Sequence, residues 1–96
     1  MKKEEYLEIL NPIIKEYEKF SYEFWEQHLN SVISFEVHSK NNQDCQIEIN
    51  SCWDDKPNET IRINFSIDNG GFRAYFPVTE SIIKMRNEKD LTNGSN

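Results

Sequence analysis

With 96 residues, the chain has room for one hydrophobic core and little else, because a chain of this size buries only ~60–65% of its unfolded surface. Hydrophobic residues make up 36% and charged residues 29% of the chain. That is polar, but six Phe, four Tyr and two Trp are too many for a disordered chain. The formal net charge is −6, which disfavours a nucleic-acid partner, since the phosphate backbone would repel it, and favours a basic protein partner.

The charge is uneven along the chain. Residues 1–29 are net −3, residues 30–60 net −4 and residues 61–96 net +1. No apolar run approaches the ~20 residues of a membrane span. The N-terminus lacks the apolar stretch of an export signal, so a cytoplasmic location is expected. Cys45 and Cys52 are separated by seven positions, which on a strand puts them on opposite faces and ~23 Å apart. They are expected to be reduced thiols.

In chain order, residues 3–29 read as helix. Tyr6, Leu10, Ile13, Tyr17, Phe20 and Phe24 step by four and three, Leu7, Ile14 and Trp25 widen that stripe, and Glu and Lys fill the opposite face. Pro12 implies a kink near Asn11; a short helix 3–10 followed by a longer one from 12 to 29 is the alternative. The stripe stays in phase, which favours one long kinked helix. Asn30-Ser31 ends it.

The period then changes to two. Residues 32–38 alternate Ile33, Phe35 and Val37 with polar positions. Residues 45–53 alternate Cys45, Ile47, Ile49 and Trp53 with Gln46, Glu48, Asn50 and Cys52. Residues 60–68 alternate Ile61, Ile63, Phe65 and Ile67 with Arg62, Asn64, Ser66 and Asp68. Residues 71–76 alternate Phe72, Ala74 and Phe76 with Arg73 and Tyr75. One apolar face per strand is the pattern of an antiparallel sheet covered on one side. Asn69-Gly70 predicts a type I′ hairpin pairing Ile67 with Phe72 and Phe65 with Ala74. Residues 79–86 read as a short helix capped by Thr79, with a further strand as the alternative. The expected fold is therefore α+β: a long N-terminal helix, kinked near Pro12, on a four-stranded antiparallel meander, followed by a short C-terminal helix. A single domain spans residues 1–88, with a polar flexible tail at 89–96.

The chemistry expected of the chain is sparse. His28 and His38 lie in no zinc-ligand spacing. Cys45 falls on the apolar face, where a thiol is inert. Asp54-Asp55 lacks the spacing of a calcium loop, and Asn69-Gly70-Gly71 lacks the ending of a phosphate loop. No catalytic residue, metal or cofactor is expected. Acidic residues do cluster: Glu36 and Glu48 on the open sheet face, Asp44 at one hairpin end, and Asp54, Asp55 and Glu59 at the other. Trp53 adjoins the acidic loop and Tyr75 is the one aromatic on the open face, so these two are candidate anchors for a partner. Ordinary solvated loop acids, with Trp53 closing the core, are the alternative.

Short length, excess acid, an amphipathic opening helix and the antiparallel strands after it resemble, in overall style, the small immunity proteins of bacterial toxin systems, including contact-dependent growth inhibition and related polymorphic toxins. The resemblance implies a cytosolic, non-catalytic inhibitor of a cognate toxin domain, often a basic nuclease. It carries no diagnostic motif, so it transfers no site residues. The expected partner is accordingly a basic protein domain bound by a monomer or weak homodimer, with no nucleic acid and no membrane involved. An acidic adaptor or secretion-chaperone-like protein is a second reading, although such chaperones are usually longer, with further strands and a second substantial helix. A small enzyme using His38 with Glu36 or Glu48 is a third.

Overall fold

The computed structural model describes residues 2–40, 43–70 and 77–86. Helix α1 spans Lys3–Tyr17 and α2 spans Tyr22–Gln27. Four strands follow: β1 (Val32–His38), β2 (Asp44–Trp53), β3 (Thr60–Asp68) and β4 (Val78–Met85). They form one antiparallel sheet in the order β1-β2-β3-β4. The fold is α+β, with helices on one face of the sheet.

The helical region is broken, but not at Pro12. That proline lies inside α1, on its exposed side. The break comes at residues 18–21. Glu18 N–H donates to the Ile14 carbonyl at 2.8 Å and Phe20 N–H to the Tyr17 carbonyl at 3.1 Å, tightening the last turn. The exposed Glu18 carbonyl accepts from Lys84 Nζ of β4 at 2.7 Å. Ser21 then caps α2, its Oγ accepting from Phe24 N–H at 3.1 Å. Asn30, in the left-handed region at φ 63°, ends the helical segment.

This break changes which aromatics are buried. Tyr6, Leu10 and Trp25 lie in the core as the apolar stripe predicts, but beyond the break Tyr22, outside that stripe, is buried as well, and Phe20 and Phe24 are only half-buried. Both Phe rings pack on the Trp25 indole, Phe24 edge-on at 5.0 Å between ring centroids and Phe20 tilted at 6.2 Å. The new start at Ser21 resets the helical phase, which a continuous stripe does not allow for.

The sheet supplies the rest of the core. Cys45, Ile47 and Ile49 of β2 face Val37, Phe35 and Ile33 of β1. Ile47 and Ile49 also face Ile67 and Phe65 of β3. All the β2 and β3 members of this set have at most 1% of their surface exposed. Ser51 occupies the same face and is satisfied there: its Oγ donates to the His28 carbonyl at 3.2 Å and its own carbonyl accepts from Asn30 N–H at 3.0 Å. Two hydrogen bonds thus pin the end of the helical region to β2.

Two expectations fail at the C-terminal side. Residues 78–85 form a strand, not a helix, with Ile67 opposite Val78 and Ile63 opposite Ile82. The second neighbour of β3 is therefore β4. Of the expected turn residues, Gly70 has φ 82° but Asn69 is not at positive φ, so the two-residue type I′ loop does not form. The segment 71–76, including Tyr75, and the expected tail at 89–96 lie outside the described residues.

Because Trp25 is the largest fully buried side chain, Trp25→Ala should cost ~3–5 kcal/mol of stability. Phe24→Ala, at a half-buried ring, should cost clearly less. Urea denaturation of the two variants checks this ranking, and equal losses would contradict it.

Candidate functional site

The face of the sheet away from the helices carries the candidate binding residues. Strand registers bring them into rows. Glu36 lies opposite Gln46, which lies opposite Asp68. Ser34, Glu48, Ser66 and Thr79 form the next row, then Val32, Asn50, Asn64 and Ser81. Cys52, Arg62 and Ile83 follow, and Thr60 with Met85 closes that end.

These rows place four carboxylates around Gln46. Glu36 and Asp68 flank it across the two ladders, and Asp44 and Glu48 flank it along β2. Gln46 Nε2 donates to Ser34 Oγ, so its amide is turned towards β1. Two of the four acids have local partners: Asp44 Oδ1 accepts from His38 Nδ1–H at 2.7 Å, and Asp68 Oδ1 accepts from Gly70 N–H at 2.9 Å. Glu36 and Glu48 are both exposed. Asp68 belongs to this acidic corner although its position in the sequence, beside a turn, hides it. The β2–β3 register alone brings it next to Gln46.

The acids of the 54–59 loop lie elsewhere. From Asp44 to Trp53, β2 runs ~30 Å at ~3.3 Å per residue, so Asp54, Asp55 and Glu59 stand at the opposite end of the sheet. Asp54 is engaged by Arg62, whose Nε and Nη2 approach the same Oδ1 at 2.8 and 2.7 Å. Arg62 Nη1 also donates to Ser81 Oγ at 3.0 Å. Asp55 and Glu59 are exposed. Trp53 is half-buried against the core and closes that end of it. The sequence-predicted acids thus divide into two groups. The strip between them is uncharged: Asn64 Nδ2 donates to Asn50 Oδ1 at 3.0 Å, and Ser66 Oγ to the Glu48 carbonyl at 3.4 Å.

The titratable side chains pair in ways the sequence does not reveal. The partner of His38 is Asp44, not Glu36 or Glu48. Nδ1 of His28 donates to the Phe24 carbonyl at 2.7 Å, and its ring stacks on Phe24 at 4.2 Å, so His28 fastens the end of α2. Burial, then the Asp68 and Asp44 carboxylates, pushes the Cys45 thiol above its ordinary value. Burial and then Glu26 raise the Tyr22 hydroxyl in the same way. Tyr22 OH and Trp25 Nε1 are buried without a hydrogen-bond partner among the described residues. No group of three or more His, Cys, Asp or Glu side chains among the described residues is arranged to hold a metal ion, and no described helix is long and apolar enough to cross a membrane.

Comparison of the chain with family models, with curated proteins and with solved structures finds no match.

The two cysteines are free, Cys45 buried and Cys52 half-buried on the open face. A thiol reagent should therefore label Cys52 well before Cys45 under native conditions and both at similar rates in denaturant. Mass spectrometry of peptides after timed alkylation checks this; Cys45 reacting first would contradict the strand parity.

Proposed function

We propose that the protein is a non-catalytic, protein-binding inhibitor of the immunity type, which docks its acidic corner on a basic domain of a cognate toxin. The observation that carries this reading is the arrangement of Glu36, Asp44, Glu48 and Asp68 around Gln46 on adjacent strands. The ladders fix their backbones, so presenting these charges to a partner costs little ordering. The net charge of −6 adds a long-range field of the same sign. Glu36 and Glu48 are the acids best placed to make intermolecular contacts, being exposed at the centre of the corner. The Asp54–Arg62 pair is already satisfied internally, which makes the distal loop the lesser contributor.

The partner is sought as the protein that co-purifies with the chain from its native source, and the reading requires that partner to be basic. Attraction between exposed charges acts chiefly on association rate and is screened by salt. Replacing Glu36 and Glu48 together by lysine should slow association by about tenfold or more and leave the melting temperature nearly unchanged. Asp55→Lys should have a smaller effect. Surface plasmon resonance at low and high salt reads both. Binding that ignores salt and tolerates the Glu36/Glu48 reversal would rule the acidic corner out as the docking surface.

A further inference from the structure

Among the described residues, β1 and β4 each have a hydrogen-bonded neighbour on one side only. Their outward backbone groups follow from the ladder phase. Ser39 N–H donates to the Gln43 carbonyl at 2.8 Å, so in the alternating antiparallel pattern Ile33, Phe35 and Val37 bond to β2. Val32, Ser34 and Glu36 therefore direct their N–H and C=O groups away from the sheet. At the other edge Arg86 N–H donates to the Glu59 carbonyl at 3.1 Å, which likewise turns the backbone groups of Thr79, Ser81 and Ile83 outward.

The two edges differ in what they carry on the helix side. On β4 the register puts Glu80 opposite Phe65 and Lys84 opposite Ile61, two charged side chains on the apolar face. Such inward charges obstruct the addition of another strand. On β1 the same face carries only Ile33, Phe35 and Val37, all half-buried. The strand contains no lysine and no proline, and Val32 at its start is 59% exposed.

We propose that β1 pairs antiparallel with β1 of a second copy, about a two-fold axis at Phe35, joining the two sheets into one. In this register Phe35 meets its own copy, Ile33 meets Val37, Ser34 meets Glu36 and Val32 meets His38. The outward-facing residues meet each other, as hydrogen-bonded pairing requires. Apolar meets apolar along the whole helix side, and no like charges stand directly opposite. The neighbouring registers are worse. Centring on Glu36 sets two carboxylates face to face and Ile33 opposite Ser39. Centring on Ser34 leaves Val37 opposite Ser31. The occupant is a second copy because this match is between β1 and itself, as a two-fold interface demands.

A single strand edge makes a small contact, so the dimer is weak and concentration-dependent. Each copy carries −6, and the two Glu36 side chains lie diagonally across the junction. Screening by salt therefore strengthens this association, opposite in sign to its effect on the basic partner, so the two readings fail separately.

Sedimentation equilibrium over a dilution series tests the proposal on the full chain, with Ser34→Pro and Ser81→Pro as variants. Each proline removes an outward N–H and leaves the ladder to its neighbour intact. Wild type and Ser81→Pro should approach twice the monomer mass at high concentration, more readily at high salt. Ser34→Pro should raise the dimer dissociation constant by about tenfold or more. Hydrogen exchange on the unaltered chain gives a readout independent of the variants: the Ser34 and Glu36 amides should exchange more slowly as concentration rises, and those of Ser81 and Ile83 should not. A chain monomeric at every concentration, a Ser34→Pro variant that dimerises like wild type, or protection at Ser81 and Ile83 instead would each overturn the proposal. So would a monomer that loses a foreign partner on Ser34→Pro, since the edge would then belong to that partner.

Discussion

The pairing of β2 with β3 is the constraint from which the rest of the molecule follows. Ile47 with Ile67 and Ile49 with Phe65 sit face to face at complete burial, and α1 and α2 lay their aromatic and leucine side chains over them. Side chains alternate strictly along a strand, so a slip of one residue would send the whole apolar set to the solvent side. The same parity fixes the other face. Once Ile47 points at the helices, Gln46 and Glu48 must point away, and once Ile67 faces Ile47, Asp68 must stand beside Gln46. Core and acidic corner are two consequences of one register.

Besides this apolar packing, hydrogen bonds tie the cover to the sheet. Lys84 reaches across from β4 to the last carbonyl of the α1 segment, and Ser51 and Asn30 tie the end of the α2 segment to β2. Between these anchors the chain breaks at Ser21, which lets Trp25 enter the core while Phe20 and Phe24 wrap it. The Tyr22 hydroxyl and Trp25 indole nitrogen, which have no hydrogen-bond partner among the described residues, set against this arrangement a desolvation of ~1–3 kcal/mol each. The apolar area of the two rings outweighs it.

The first three strands were legible because each turns one apolar face to the helices and alternates cleanly: β1 and β3 match the period-two runs and β2 begins one residue earlier. The fourth strand was not. In 78–85 the helix side carries Val78, Glu80, Ile82 and Lys84, so charge interrupts the alternation. Thr79, Glu80 and Lys84 meanwhile look like helix-end residues, and only pairing with β3 decides against a helix. The helix break was hidden because Phe20 and Phe24 continue the α1 stripe in phase, and the Ser21 cap is a single residue. Parity in the sequence placed Glu36 and Glu48 on the open face, and the length of the second strand set Asp44 and the 54–59 loop at opposite ends, but neither could say that Asp68 joins the corner. That follows from the β2–β3 register.

Cross-strand Hα–Hα contacts by nuclear magnetic resonance test that register most directly. Non-hydrogen-bonded antiparallel pairs bring opposing Cα atoms to ~4.5 Å. The structure predicts strong contacts for Ile47 with Ile67, Ile49 with Phe65 and Ser51 with Ile63. Contacts displaced by one residue, such as Glu48 with Ile67, would contradict both the core and the acidic corner built on it.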